Sequence, residues 1–174
     1  MTRPTSDRRR FLQTTAALGV GYWVAGGLSA QESNSPNERI RMACIGIAGK
    51  GGGDSEDAAK FGDVVAICDV DEQRLEARGT GPFEKSARFT DFRKMLDEVK
   101  EIEAVTISTP DHTHYPAAMY AIALGKHVMI QKPLTNTLWE ARQLHLAAKK
   151  KGVITQMGNQ GHTFDDNRML KEWI

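Results

Sequence analysis

The chain has 174 residues, 40% of them hydrophobic, and a formal net charge of +1. This length allows one compact domain with a sizeable core and is too short for two. No stretch of the sequence is both basic and aromatic and no internal repeat is present, so we expect neither a nucleic-acid partner nor a repeat fold.

Residues 1–30 have the pattern of an export signal. Arg8, Arg9 and Arg10 precede Phe11 and a weakly apolar run that ends at Ala30, which is the order of an n-region and an h-region. An arginine pair before Phe-Leu is typical of the twin-arginine type. Polar residues and glycines interrupt the run, which disfavours a stable membrane span. We expect an exported, periplasmic protein; an uncleaved anchor or a basic tail is the alternative.

Residues 31–38 are polar and are predicted to form a linker. From residue 39 to residue 164, apolar strands alternate with helices, which is typical of an α/β fold with a doubly wound parallel sheet. Six strands are predicted, starting at Ile40, Val64, Ala87, Ala104, His127 and Val153. A capping box of Thr137 and Glu140 begins a helix that carries Leu138, Ala141, Leu144 and Ala148 on one face. Residues 165–174 are predicted to start another helix.

The turn after the first predicted strand is rich in glycine and precedes a helix. Gly46 and Gly51 occupy the first and third places of a G-x-G-x-x-G pattern, with Ala48 at the second and with Gly49 and Lys50 between. The N-terminus of a helix binds pyrophosphate through unpaired N–H groups, and glycine lets the phosphate approach the backbone. We therefore predict a dinucleotide-binding turn in which Gly49 compensates for Ala48. A strand-helix corner whose glycines serve packing only is the alternative.

Asp69 closes the second predicted strand, 23 residues after Gly46. An acid at this place can accept hydrogen bonds from both ribose hydroxyls and would repel a 2′-phosphate, so NAD is favoured over NADP. Asp54, Glu56 and Asp57 suit a helix N-terminus but would compete with the phosphate unless they point outward.

Polar residues cluster where three later strands end, and ligands of such sheets bind at those ends. The clusters are Thr109, Pro110, His112 and His114, then Gln131 and Lys132, then Asn159, Gln160 and His162. Lys132 is the best catalytic candidate, because a lysine beside a nicotinamide ring can hydrogen-bond a substrate hydroxyl and help to move its proton. A surface lysine at a strand end is the alternative. Two histidines do not make a zinc site, so no metal is predicted.

The only two cysteines in the sequence, Cys44 and Cys68, each lie inside an apolar strand. We expect both to serve packing. A disulfide between neighbouring strands is the alternative, which strand geometry disfavours.

From about Ile40 to His162 the chain resembles the N-terminal part of Gfo/Idh/MocA-family oxidoreductases, especially their exported bacterial members. The resemblance rests on the glycine turn, Asp69, a Thr-Pro pair followed by His114, and Gln131-Lys132-Pro133 where the family has Glu-Lys-Pro. It implies an NAD(P)-binding Rossmann domain with Lys132 beside the nicotinamide and the substrate. Cofactor contacts are expected from Gly46, Ala48, Gly49, Lys50, Gly51, Asp69, Thr109, Pro110, His114 and Gln131, and substrate contacts from His112, Asn159, Gln160 and His162.

Gln131 departs from the family's glutamate. The change removes a charge near Lys132 and is expected to make that lysine easier to deprotonate. Family members also carry a second α/β domain that binds substrate and forms the oligomer interface, so the resemblance implies that this chain is a fragment and that only the full-length form is an oligomer.

The leading hypothesis from the sequence is the cofactor half of an NAD(P)-dependent oxidoreductase that acts by hydride transfer on a sugar, a polyol or a related hydroxyl compound. An NAD-dependent glycosidase with no net redox change is the first alternative. A non-catalytic NAD-binding module is the second.

Overall fold

The computed structural model describes residues 39–163 and 169–172, without the side chains of His162 and Thr163. The predicted export signal, the predicted linker and the predicted helix start near Asp165 lie outside the described residues, as does the side chain of His162. Residues 169–172 are helical.

The described residues alternate between strands and helices, as the sequence predicts. The strands are β1 (Ile40–Ile45), β2 (Gly62–Cys68), β3 (Ala87–Phe89), β4 (Ala104–Ile107), β5 (His127–Gln131) and β6 (Thr155–Gly158). The α-helices are α1 (Lys50–Phe61), α2 (Glu72–Arg78), α3 (Phe92–Glu98), α4 (His114–Ala123) and α5 (Leu138–Lys151). None of these helices is long and apolar enough to cross a membrane.

The six strands form one sheet in the order β3-β2-β1-β4-β5-β6, and every neighbouring pair is parallel. The chain order therefore reverses between β1 and β4, where connections leave toward opposite sides and open a crevice at the carboxyl ends of the strands. This confirms the predicted doubly wound parallel sheet.

The sheet separates two apolar clusters, because successive side chains of a strand point to opposite faces. Ala43 and Ile45 belong to the larger cluster, whereas Cys44 between them belongs to the smaller one. Cys68 packs in the larger cluster. The two cysteines are thus buried, free and on opposite faces of the sheet, which confirms their packing role.

The helix α5 begins and ends as predicted. Thr137 and Glu140 form both hydrogen bonds of the capping box, and Gly152 ends the helix with a φ of +70°. The predicted apolar face of this helix includes Leu138, and that part of the prediction is wrong. Leu138 is 88% exposed, whereas Leu144 and Ala148 are buried. Leu138 is the first residue of the helix, one turn before the point where α5 reaches the core.

Candidate cofactor site

The glycine turn after β1 folds tightly against β4 and against itself. Gly46 has a φ of +78°, and a Cβ placed there would lie 2.7 Å from the carbonyl oxygen of Ser108. A Cβ at Gly51 would overlap the carbonyl oxygen of Gly46. Close backbone packing therefore requires glycine at both positions, as the packing alternative proposed.

Gly49 is different, and packing does not explain it. Its φ is +54°, and a Cβ built on it would meet no other described atom within 4 Å. Gly49 is exposed and is the N-cap of α1, where the structure shows no side-chain capping bond. The turn thus presents open backbone at a helix N-terminus, which is the surface that an anionic phosphate group needs.

A cavity of about 590 Å³ lies at the carboxyl ends of β1, β2 and β4, within the range of sizes that small-molecule sites have. Seven of the predicted site residues line it, namely Gly46, Ala48, Gly49, Asp69, Thr109, Pro110 and His112. The described residues of its wall do not include Lys50, Gly51, His114, Gln131, Lys132, Asn159 or Gln160.

Asp69 lies in the wall of this cavity and is 8% exposed. Its Oδ2 accepts a hydrogen bond from the backbone N–H of Ile47, and its Oδ1 accepts one from the N–H of Asp71, both at 3.1 Å. Two bonds fix the carboxylate, while each oxygen keeps a second lone pair for a ligand hydroxyl. The geometry suits the ribose contact that the sequence predicts.

Arg74 is a wall residue that the sequence analysis missed. It lies on α2, and its Nε is 3.1 Å from Oδ2 of Asp71, three residues earlier in the sequence. The exposed Val70 and the half-buried Phe92 complete an apolar side of the same region. The sequence signal was the helical spacing from Asp71 to Arg74, which brings both side chains to one face.

The side-chain hydroxyl of Thr109 indicates whether the cavity suits a polar ligand. Its Oγ1 is buried and has no hydrogen-bond partner among the described residues, although the residue lines the cavity. A buried hydroxyl without a partner costs about 1–3 kcal/mol, so such atoms mark places where a ligand or water pairs with the protein. The open Gly49 backbone, the fixed Asp69 carboxylate and this hydroxyl together fit a dinucleotide.

His114 is not among the described residues that line the cavity, and it is 1% exposed. Its Nδ1 is 2.7 Å from the carbonyl oxygen of Pro133, and its Nε2 is 2.8 Å from the carbonyl oxygen of Thr109. The imidazole therefore joins the segment after β4 to the turn that carries Lys132.

Lys132 follows β5 and is exposed. The register pairs Gln131 with Gly158, so Lys132 and the exposed Asn159 leave the sheet side by side at the same edge as the cavity. The described residues therefore leave the side chain of Lys132 open to solvent. The peptide bond between Lys132 and Pro133 is cis.

The three acids of α1 do not compete for the cavity. Glu56 and Asp57 are exposed and pair with Arg78 at 3.0 Å and with Lys60 at 2.8 Å. Asp54 points inward instead of outward, since it is 6% exposed and bonded to Ser108 and Gln131.

Burial raises the pKa of a thiol that lies in the cavity wall. Cys68 lines the cavity, and burial raises the pKa of its thiol to about 12, with a further contribution from the Asp69 carboxylate. Within residues 39–163 and 169–172, no group of three or more His, Cys, Asp and Glu side chains could hold a metal ion.

A parallel sheet in this strand order, with a glycine turn after β1 and an acid after β2, defines a dinucleotide-binding Rossmann domain. Residues 35–159 match the Gfo/Idh/MocA family, which is described as an oxidoreductase family with an NAD-binding Rossmann fold. The chain belongs to this family.

Three similar proteins illustrate its range. The scyllo-inositol 2-dehydrogenase (NADP(+)) IolW of Bacillus subtilis is 31% identical, and the match covers 60% of this chain and 31% of that protein. A glycosyl hydrolase family 109 protein of Saccharopolyspora erythraea is 26% identical over 95% of this chain and 42% of its own length. The crystal structure of GenD2 from gentamicin A biosynthesis in complex with NAD is 30% identical, with a TM-score of 0.64 over 76% of this chain and 37% of that one. The chain spans less than half the length of each.

Proposed function

We propose that this chain is the cofactor-binding domain of an oxidoreductase that transfers hydride between NAD and a hydroxyl carbon of a sugar, a polyol or a related compound. The observation that carries the proposal is the Asp69 carboxylate, which is fixed by two backbone N–H groups in the wall of a cavity that also presents the open backbone of Gly49. A sugar or polyol substrate is supported by the dehydrogenase relative, whose name gives an inositol as its substrate.

The preference for NAD over NADP rests on the position of two charges. Asp69 is buried, so its charge acts at short range through a medium of low dielectric constant and would repel a 2′-phosphate. Arg74 could attract that phosphate, but it is exposed and already pairs with Asp71. Solvent screens the exposed Arg74 more than the buried Asp69, so the attraction of a 2′-phosphate to Arg74 is weakened more than its repulsion by Asp69. NAD is therefore favoured, even though one relative is named for NADP.

Lys132 is proposed as the catalytic group. Bound NAD would supply the hydride acceptor. The Nζ of Lys132, as the neutral amine, would accept a hydrogen bond from the substrate hydroxyl and take up its proton, while Asn159 and Gln160 after β6 and His112 in the cavity wall would orient the substrate. Because Lys132 is exposed, the bound ligands themselves must exclude water from it.

Calorimetric titration of the purified chain with NAD and NADP tests the cofactor proposal. We expect tighter binding of NAD. Asp69→Ala should weaken NAD binding by tenfold or more and narrow the difference between NAD and NADP, since hydrogen bonds to a charged group contribute about 1.5–3 kcal/mol. Asp63→Ala is a matched control, because Asp63 lies near the start of β2, at the end opposite to the one that Asp69 follows, and pairs with Arg39. Folded protein that binds neither nucleotide would overturn the proposal.

A redox-neutral glycosidase is the second candidate, and the glycosyl hydrolase relative that matches 95% of the chain favours it. Such an enzyme would regenerate NAD within each turnover. Addition of a sugar substrate to a form of the protein that includes a substrate-binding domain distinguishes the two: net formation of NADH supports the oxidoreductase, and sugar cleavage without NADH supports the glycosidase. NAD binding without either activity in that form would indicate a non-catalytic module.

Export by the twin-arginine route is proposed from Arg9, Arg10 and the apolar run that follows them. A domain that folds around a cytoplasmic nucleotide benefits from a route that carries folded protein. Replacing both arginines by lysine should keep the protein in the cytoplasmic fraction, whereas Arg88→Lys, far along the sequence, should leave export unchanged. Equal export of the double variant would contradict this proposal.

A further inference from the structure

Asp54 is a buried carboxylate that joins three elements of the fold. Its Oδ2 accepts hydrogen bonds from Ser108 Oγ at 2.7 Å, just after β4, and from Gln131 Nε2 at 2.9 Å, at the end of β5. Its Oδ1 is 2.7 Å from Nζ of Lys50, and its side chain is 4% exposed. The first turns of α1, which follow the glycine turn, are thus bonded directly to the segment that carries Lys132.

These contacts determine which way the Gln131 amide points. An ionised carboxylate only accepts hydrogen bonds, so the NH₂ group of Gln131 must face Asp54. The amide oxygen is then left to face the other way, and it accepts the backbone N–H of Lys132 at 3.1 Å. The charge of Asp54 therefore sets the orientation of the Gln131 amide, and this orientation lets the amide oxygen bind the backbone N–H of Lys132.

The Gln131 side chain lies in the space left by the missing side chain of Gly158. Gln131 is 4% exposed, and a Cβ added at Gly158 would stand 2.8 Å from its Nε2 and 2.9 Å from its Oε1. The amide consequently fills the space that a side chain on β6 would occupy, and its hydrogen bonds have no water to replace them.

The same geometry explains why residue 131 is not a glutamate. A carboxylate at this position would face the Asp54 carboxylate at 2.9 Å, in a site from which water is excluded. Two buried like charges at this distance are strongly unfavourable. A carboxylate is instead present at residue 54, where it contacts Gln131, and the expectation that Lys132 is easier to deprotonate stays a prediction.

We propose that Asp54 is a positioning residue for Lys132 and that Asp54 and Gln131 form a matched pair in which one side chain must be an acid and the other an amide. The inference rests on the proposed catalytic role of Lys132. It deepens that role by connecting the lysine to the helix whose N-terminus faces the cofactor.

Reversal of the pair tests the proposal in the full chain. Gln131→Glu alone places two carboxyls together, whereas the double variant Asp54→Asn with Gln131→Glu restores one amide and one acid. In the double variant, the amide introduced at position 54 can donate to the carboxylate introduced at position 131, whose second oxygen can still accept the Lys132 N–H. Urea unfolding between pH 5 and pH 8 measures the folded-to-unfolded ratio of each variant, and Glu56→Gln, an exposed acid on the same helix, is the control.

We expect Gln131→Glu to lose stability as the pH rises, because protonation at low pH lets one carboxyl donate to the other. At pH 8 the double variant should have a folded-to-unfolded ratio at least tenfold higher than that of Gln131→Glu. Among the described residues, Lys50 pairs with Asp54, and the Asp54 charge also acts on the Cys44 thiol. Both are present in every variant, so a pH dependence that differs between variants belongs to the carboxyl pair.

The backbone amide resonance of Lys132 provides a readout of positioning that needs no nucleotide. We expect it to shift in Asp54→Ala and in Gln131→Glu and to return close to its original place in the double variant. A double variant no more stable than Gln131→Glu at pH 8, together with an unmoved Lys132 resonance, would overturn the proposal. If Gln131→Glu does not fold at pH 8 while the double variant does, that rescue supports the proposal. If neither variant folds, the two side chains are not a matched pair and the proposal is overturned. Because NAD is absent from these experiments, their failure is distinct from a failure to bind cofactor.

Discussion

The carboxylate of Asp69 accepts a hydrogen bond from the backbone N–H of Ile47, with 3.1 Å between Oδ2 and the nitrogen. The bond joins the residue that follows β2 to the glycine turn that follows β1. Ile47 is 3% exposed, so water cannot readily replace Asp69 as its partner. The side chain proposed to hold the ribose thus also holds the turn proposed to hold the pyrophosphate.

Asp69 should therefore contribute to stability even without a ligand. Asp69→Ala leaves the N–H of Ile47 unpaired and is expected to lower the free energy of unfolding by about 1–3 kcal/mol. Asp69→Asn keeps one accepting oxygen and should cost less. Urea unfolding of the nucleotide-free chain measures both, and an Asp69→Ala variant as stable as the original would show that the bond does not matter for folding.

Two glycines of the same turn should respond differently to alanine. Gly51→Ala places a methyl group against the carbonyl oxygen of Gly46, so we expect a loss of stability of about 1–3 kcal/mol or more. Gly49→Ala meets no described atom and should cost about 1–2 kcal/mol through its positive φ alone. Because its new methyl group would face the incoming phosphate, NAD affinity should fall by at least tenfold.

Gly152→Ala is the control for backbone strain. Gly152 also has a positive φ and open space around its hydrogen, but it ends α5 and does not line the cavity. Its αL backbone (φ +70°, ψ 24°) admits an L side chain more readily than the backbone of Gly49 (φ +54°, ψ −122°), so its replacement should cost less stability and leave NAD affinity unchanged. Equal losses of NAD affinity in Gly49→Ala and Gly152→Ala would indicate a general effect of strain rather than a phosphate contact.

Lys132 should matter for turnover rather than for cofactor binding. It is exposed and lies outside the cavity wall, so Lys132→Ala is expected to change NAD affinity by no more than a few fold. Hydride transfer, measured in a form that includes a substrate-binding domain, should be abolished. Lys149→Ala, an exposed lysine at the end of α5, should affect neither. A large loss of NAD binding in Lys132→Ala would contradict the catalytic assignment.

The two thiols should be unreactive in the folded protein. Burial raises the pKa of Cys44 to about 11 and that of Cys68 to about 12. At pH 8 each thiol therefore carries a smaller fraction of reactive thiolate than a thiol with the ordinary pKa of 9.0. Alkylation at pH 8 should be at least a hundredfold slower than in urea and should speed up as the pH rises toward these values. No disulfide should form on oxidation, since the cysteines lie on opposite faces of the sheet.

NAD should protect one thiol more than the other. Cys68 lines the cavity and Cys44 does not. Mass spectrometry after limited alkylation should therefore show lower labelling of Cys68 when NAD is present, with Cys44 as the internal reference. Equal protection of both would indicate that NAD stabilises the whole domain without occupying this cavity.

Local sequence patterns are sufficient to predict the order of the elements, the glycine turn, the acid after β2 and the capping box of α5. Each of these follows from local rules: the period of apolar residues, the conformational freedom of glycine and the side chains that can cap a helix. The parallel sheet followed as well, since strands that alternate with helices have few other ways to pack.

Contacts between residues that are distant along the chain could not be predicted from such patterns. Asp54 turns inward because the ends of β4 and β5 present Ser108 and Gln131 to it, and those residues lie 54 and 77 positions away along the chain. His114 is buried because two carbonyl groups from different segments surround its ring. Such contacts depend on the order and register of the strands in the sheet, which bring distant residues together and which no local pattern encodes.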